Sequence, residues 1–370
     1  MPGGATARGL GKYAWASGPD WTIVQKVGRV SKGKAKGKAK GKVKGKVKVK
    51  VEEQVQLQVQ GARSKAQAAR GEGQAIWKGA MGMKGGWVIE VDIRRFFDAL
   101  DHGQVREILS QRVRDGVVVR LIGKWLNAGI LEGGEVTYPE AGTPQGGVIS
   151  PLLANVYLHH VLDGWWAKDV QPRMKGRTFL VRYADDFVMG FEHKGDAERV
   201  MEVLPKRFAR YGLELHPEKT RMVEFQAPDR DGDDRKGPRP GSFDFLGFTH
   251  YWGRSRKGTW VVKRKTAANR FCRVLTRLNL WLRKYRHEPV KWQHQRLSLA
   301  LKGHDSYYGI TGNRHALDRL RHAVERLWQQ WLDRRSWRAR MPWERFQQLL
   351  DRYPLPAARV VQSVYRVARP

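Results

Sequence analysis

Three aspartates have the residue type and setting for chemistry. Asp92 closes a run in which apolar residues alternate, and Asp185 and Asp186 stand side by side between two short apolar runs. Carboxylates are hard oxygen ligands of the kind Mg2+ prefers. In phosphoryl transfer, negative charge grows on the attacking and the leaving oxygen, and two metal ions about 3.5–4 Å apart stabilise both. A strand-borne Asp92 and a turn-borne Asp185-Asp186 are two segments that an antiparallel sheet can bring together. On its own an Asp-Asp pair in a turn is ordinary turn chemistry, so its weight depends on its surroundings. The other usual carriers of chemistry are sparse. His102, His159 and His160 suggest no metal site, no Cys/His cluster has zinc spacing, and the single cysteine, Cys272, cannot form an intramolecular disulfide.

The elements that must hold these residues can be read from periodicity. Trp87, Ile89, Val91 and Ile93 alternate with Val88, Glu90 and Asp92, the pattern of a half-buried strand with a carboxylate on its second face, and an ordered domain is expected to begin at Gly85. Helical patterns follow around 105–113 and 118–127. A glycine-rich loop then leads to the turn Pro144-Gln145-Gly146-Gly147 and an apolar helix over 152–162. The runs 179–183 and 187–191 flank Ala184-Asp185-Asp186 and predict a hairpin with its acidic pair at the turn. A helix over 196–211 ends at Gly212. Short strands are expected at 213–215 and 222–225, a loop at 226–241, a last ordered run at 243–252, and helices dense in arginine and tryptophan over 265–370.

Charge divides the chain differently. The net charge is +34, far beyond what solubility requires, and points to polyphosphate as a standing partner, with nucleic acid the leading candidate. Residues 1–80 carry 18 Lys/Arg against 4 Asp/Glu, and residues 260–370 carry 25 against 7, so the stretch between is nearly neutral. That is the distribution of a catalytic centre beside surfaces that grip a phosphate backbone. Residues 31–50 place lysine at every even position from Lys32 to Lys50. Self-repulsion and glycine oppose folding there, and a disordered basic arm is expected. With no run of 18 apolar residues and no basic-then-apolar leader, the expectation is a cytoplasmic protein with no membrane partner.

Four motifs occur in order: Glu90-Val91-Asp92-Ile93 followed by Phe96-Phe97-Asp98; Gly142-Thr143-Pro144-Gln145-Gly146-Gly147; Ser150-Pro151-Leu152-Leu153-Ala154-Asn155; and Tyr183-Ala184-Asp185-Asp186. Together they resemble the bacterial reverse transcriptase-maturases encoded by group II introns. The resemblance covers about residues 74–370, with His216-Pro217-Glu218-Lys219-Thr220 and Phe243-Asp244-Phe245-Leu246-Gly247-Phe248 inside it. It implies RNA-directed DNA synthesis combined with assistance to intron splicing, using Mg2+ (two ions) and deoxynucleoside triphosphates, with intron RNA, RNA template and DNA primer as partners. It makes Asp92, Asp185 and Asp186 the metal-binding triad, the first two being direct ligands. It sets Phe97 against the sugar of the nucleotide, Gln145 on the incoming nucleotide with Gly146 and Gly147 allowing close approach, and Lys219 near the pyrophosphate as a candidate general acid. Arg182 is read as structural.

In the C-terminal third, Gly303-His304, Tyr307-Tyr308-Gly309 and Gly312-Asn313 resemble the maturase-specific region, which binds intron RNA. His304 reads as a structural hydrogen-bonder, most of the tryptophans as packing, and the arginine clusters around Arg334, Arg335, Arg338 and Arg340 as RNA-gripping. Relatives of this kind begin with a fingers region, which is not found here, and often end in a zinc-bearing endonuclease domain, which is not expected. Without fingers, an RNA-binding maturase with impaired catalysis stands as the alternative to an active polymerase. The expected fold is α+β: a basic arm over 1–72, a palm of small antiparallel sheet backed by helices over 73–252, and an α-helical thumb/maturase domain over 253–370.

Overall fold

The computed structural model describes residues 69, 71–127, 130–132, 135–137, 150–228, 240–336 and 340–361, with backbone alone for 130–132 and 135–137. The lysine repeat, the 142–147 turn and most of the 226–241 loop lie outside the described residues. The chain divides into two compact units. Among the described residues, one holds 75–245 and 252–262, and the other 69–74, 246–251 and 263–361.

A helix over 71–82 (α1) opens the described chain. Its buried residues Ile76 and Ala80, with Met83 just beyond, recur at helical spacing and anchor one face. The ordered structure therefore begins ahead of Gly85. The chain turns through Lys84, Gly85 and Gly86, all at positive φ. A Cβ on Gly86 would lie 2.1 Å from the carbonyl oxygen of Phe191, so only glycine lets the two backbones meet there.

Strand β1 (Trp87–Val91) runs antiparallel to two neighbours and is buried on both faces, not one. Ile89 and Val91 enter the main core, whereas Glu90 accepts a hydrogen bond from the backbone N–H of Asp244 and an ion pair from Arg221. A buried carboxylate with two partners thus mimics an exposed position in the sequence pattern. Burial pushes the Glu90 carboxyl upward, against the opposing pull of Arg221 and the Asp244 N–H.

Next come β2 (Ile93–Arg94), α2 (His102–Ser110) and α3 (Gly116–Leu126). Asp101 caps α2 by accepting from the N–H of Gln104, and Asp115 caps α3 by accepting from Val117 and Val118. After the short pair β3 (Ile130–Glu132) and β4 (Glu135–Thr137), helix α4 (Ser150–Leu158) continues into π-helical turns at His159–Gly164 and Trp166–Val170, well past the expected end at 162. The carbonyls of His160 and Val161 in this wide stretch receive hydrogen bonds from Arg207.

The expected hairpin follows as β5 (Thr178–Tyr183) and β6 (Asp186–Phe191), then α5 (Lys194–Ala209), the left-handed Gly212, β7 (Glu214–Leu215) and β8 (Arg221–Glu224). The main sheet has the order β5-β6-β1-β8. Leu153, Tyr157, Leu158, Phe187, Met189 and Phe208 belong to the core between this sheet and its helices.

Strands β9 (Ser242–Phe245), β10 (Phe248–Arg254) and β11 (Trp260–Thr266) make a second sheet, order β11-β10-β9. β11 was not legible, because Lys263, Arg264 and Lys265 break its apolar alternation. In the second unit, α6 (Ala268–Lys284), α7 (Val290–Tyr308), α8 (Arg314–Asp333) and α9 (Trp343–Arg352) enclose Leu282, Leu297, Val324, Trp328 and Phe346. The result is an α+β fold with a small antiparallel sheet backed by helices and a helical C-terminal part. Among the described residues no helix is long and apolar enough to cross a membrane.

Candidate active site

Strand register assembles the acidic residues. Val91 pairs with Phe187, and Tyr183 pairs with Asp186 across the hairpin. Asp92 directly follows β1, so Asp92 and Asp186 emerge at the same end of the sheet, with Asp185 in the two-residue turn beside them. Asp92 and Asp185 are partly exposed and Asp186 is exposed. Ala184, the first residue of the turn, has φ 55. A tight hairpin calls for this left-handed conformation, which for a residue with a Cβ costs about 1–2 kcal/mol.

A second pairing adds Lys219. Ile93 and Arg94 pair with Leu215 and Glu214, which carries the chain back past β1. The N–H of His216 then donates to the carbonyl of Asp92 at 2.8 Å, and a tight turn closes with Lys219 and Thr220 N–H groups both donating to the carbonyl of His216. Lys219 Nζ thereby reaches Asp92 Oδ2 at 2.8 Å from 127 residues away. With the lysine side chain 60% and the aspartate 35% exposed, this ion pair adds little stability. Its importance is its position, since it sets an ammonium group on one of the three acidic residues.

Phe97 lies in the 95–98 turn after β2, half-exposed and edge-on to Phe96 at 5.3 Å. Phe96 is buried in the core, as expected of that member of the pair. Gln145 and Gly146 lie outside the described residues. The sheet end therefore gathers Asp92, Asp185, Asp186 and Lys219, with Phe97 five residues along from Asp92.

Arg182 acquires contacts that no sequence pattern suggested. It forms a two-pronged pair with Asp163, Nε to Oδ1 at 2.8 Å and Nη2 to Oδ2 at 2.6 Å, and donates through Nη1 to Asn155 Oδ1 and to the carbonyl of Ala184. Asn155 in turn donates to the carbonyl of Pro151 at 3.0 Å, which leaves its oxygen facing Arg182. The Ser150–Asn155 motif and the acidic turn are thus joined by one guanidinium.

Among the described residues no group of three or more His, Cys, Asp or Glu side chains is arranged so that it could hold a metal ion. By chemistry alone the three carboxylates are hard oxygen donors of the kind a divalent cation takes, all reached from water, and Asp92 is paired with the Lys219 ammonium.

In the second unit, the motif residues near Tyr307 work inside the fold. Tyr307 donates to the carbonyl of Leu246 at 2.8 Å, and its ring stacks on Phe248 at 5.8 Å. Asn313 accepts from the N–H of Thr266 and donates to Thr266 Oγ1 and to the carbonyl of Tyr308. His304 is buried and stacked on Tyr308 at 4.5 Å, but its ring nitrogens make no hydrogen bond, so it serves by packing rather than by the expected hydrogen bonding. Trp281 and Trp328 are buried, as expected of packing tryptophans. Arg334 and Arg326 lie over the rings of Trp331 and Trp343. Arg338 lies outside the described residues.

An antiparallel sheet that ends in aspartates from a strand and from a hairpin turn is the arrangement expected of a polymerase palm. Residues 49–250 match the family described as reverse transcriptase (RNA-dependent DNA polymerase), and the chain belongs to that family. The match begins before the expected limit near residue 74. An uncharacterized 91 kDa protein in the cob intron of Schizosaccharomyces pombe is 24% identical over 288 residues, covering 62% of this chain and 35% of that protein. The group II intron-encoded protein LtrA of Lactococcus lactis subsp. cremoris is 43% identical over 75 residues, covering 20% of this chain and 12% of its own length. This chain spans about a third or less of the curated relatives it matches. The solved structure of apo telomerase from Candida tropicalis overlaps 79% of this chain and 55% of its own, at 13% identity and a TM-score of 0.40.

Proposed function

We propose that the protein is an RNA-directed DNA polymerase that also binds intron RNA as a maturase, with 73–252 as palm and 253–370 as thumb and RNA-binding region. The observation that carries this reading is the convergence of Asp92, Asp185 and Asp186 at one end of the β5-β6-β1-β8 sheet, beside Lys219. These carboxylates would hold Mg2+, which would supply stabilisation of the charge growing on the attacking and leaving oxygens. Lys219 leaves Asp92 and protonates the departing pyrophosphate. The half-exposed ring of Phe97 contacts the sugar and disfavours a 2′-hydroxyl. Gln145 contacts the incoming nucleotide, and Gly146 allows the close approach. Template and primer are RNA and DNA, and the basic residues of 260–370 hold the RNA backbone.

The test is primer extension on an RNA template with Mg2+ and four deoxynucleotides. Asp185→Ala should abolish extension and leave RNA affinity within about twofold, and Lys219→Ala should slow extension about a hundredfold. Extension that survives Asp185→Ala overturns the assignment.

A second reading, RNA binding without synthesis, is favoured by one observation: the 25 Lys/Arg against 7 Asp/Glu in residues 260–370. It predicts no extension by the wild-type chain and an RNA affinity that falls steeply with salt as counterions are released. Salt-independent binding excludes it.

A further inference from the structure

We infer that Arg182 is the positioning residue of the acidic turn, held in place by Asp163 and Asn155. The inference rests on the reading of Asp185 and Asp186 as the reactive end of the palm. Arg182 stands on β5 just before the turn, and only 13% of its side chain is exposed. A guanidinium presents its donors as a rigid planar fork, so partners on two sides fix its plane as well as its position. Asp163 takes one side of the fork through both oxygens, and Asn155 takes the other. With the plane fixed, the remaining contact of Nη1 falls on the carbonyl of Ala184 at 3.0 Å.

That carbonyl is the one that matters. The peptide unit joining Ala184 to Asp185 is planar, so holding its oxygen sets the direction in which the Asp185 backbone, and hence its carboxylate, leaves the turn. Ala184 is also the residue in left-handed conformation, and a turn of that kind persists only when its surroundings over-determine it.

The supports are themselves held. Asp163 lies in the π-helical turn, where the wider spacing re-aims side chains relative to an ordinary helix, and Arg207 fastens that segment through the carbonyls of His160 and Val161. Asn155 is oriented by its bond to Pro151. Two segments, the helical stretch carrying Asn155 and Asp163 and the hairpin carrying Arg182 and Ala184, therefore form one clamp whose output is the aim of the acidic turn. Arg182 touches no reacting atom and acts through Ala184.

A merely structural ion pair would stabilise the whole sheet, whereas a clamp on the turn affects the turn first. The experiment uses the full chain and its variants Arg182→Lys, Asp163→Asn and Asn155→Ala. It reads amide hydrogen exchange in 183–187 and in 87–91, together with kcat and the deoxynucleotide KM in primer extension. Lysine keeps the charge but not the fork. Arg182→Lys is expected to speed exchange at 183–187 about tenfold with 87–91 unchanged, and to lower kcat by about tenfold or more with KM and RNA affinity unchanged. Asn155→Ala, which removes one of the four hydrogen bonds of Arg182, shows the same pattern more weakly and serves if Arg182→Lys fails to fold. Exchange unchanged at 183–187, or raised equally across the sheet, overturns the inference. If the wild-type chain does not extend a primer while the exchange difference appears, the polymerase reading fails and the clamp stands. If it extends and the variants keep both turn order and kcat, the clamp fails and the polymerase reading stands.

Discussion

The two units bring polar groups together by opposite routes. In the sheet unit, partners come from far apart: Lys219 meets Asp92 across 127 residues and Arg221 meets Glu90 across 131. In the helical unit, much of the buried polar structure is local or internal to a helical core. Gln293 donates to the carbonyl of Tyr285 and accepts from the indole N–H of Trp328. The comparison teaches where chemistry can sit. Register between distant strands aims carboxylates at a shared edge, whereas helix packing buries its polar groups to specify the core.

The largest expected effect lies on the sheet side. Asp185→Ala should lower primer extension by about four powers of ten, equivalent to more than about 5 kcal/mol of barrier, with little change in melting temperature. A variant that loses activity only in proportion to its lost folded fraction would erase the contrast between the units.

The helical side should answer with stability. Trp328 is completely buried and hydrogen-bonded, and Trp328→Ala should cost about 3–5 kcal/mol, with Gln293 left without its indole partner. Denaturant unfolding followed by circular dichroism measures it, and a cost below about 1 kcal/mol would mean that this core is not the one that holds the helices.

A smaller effect comes from pH. His250 is buried, and burial, followed by the nearby Arg264 charge, lowers its pKa from 6.5 to about 3 against a weaker opposing backbone hydrogen bond at Phe248. Below pH 6.5 the unfolded chain takes up a proton that the folded unit refuses. Its contribution to stability is therefore full above that pH and declines as pH falls toward about 3. Each pH unit in that window is worth about 1.4 kcal/mol, so about 2 kcal/mol is lost between pH 6.5 and 5. His250→Leu should flatten this part of the pH dependence of the unfolding midpoint, and an unchanged slope would assign it to other groups.

The smallest effect is the control. Arg94 and Glu214 pair at 3.2 Å with side chains 53% and 65% exposed. Glu214→Ala should change stability by no more than about 0.5 kcal/mol. A larger loss in thermal melting would show that the β2–β7 pairing, and with it the approach of Lys219, depends on this ion pair.

Much of the fold was legible because local rules were obeyed. The hairpin around Ala184-Asp185-Asp186 and the helices near Val105, Val118, Ala197 and Trp281 follow period and turn chemistry alone. The failures have identifiable causes. Glu90 looked solvent-facing because a carboxylate at an alternate position ordinarily is, yet Arg221 and the Asp244 backbone satisfy it in the interior. β11 was hidden by its run of Lys and Arg, and α1 by its glycine-rich sequence. The π-helical extension beyond Leu158 leaves no compositional trace, since its carbonyls are answered by Arg207 on another helix.

The sequence by itself determined which residues carry the candidate chemistry, because residue type and motif order single out Asp92, Asp185 and Asp186 before any coordinates are known. Only the tertiary structure decided that Lys219 rests on Asp92 and that Arg182 grips the acidic turn through Asp163 and Asn155. Hydrogen bonds have a reach of about 3 Å, and no one-dimensional pattern records which distant groups strand register and a widened helix bring within it.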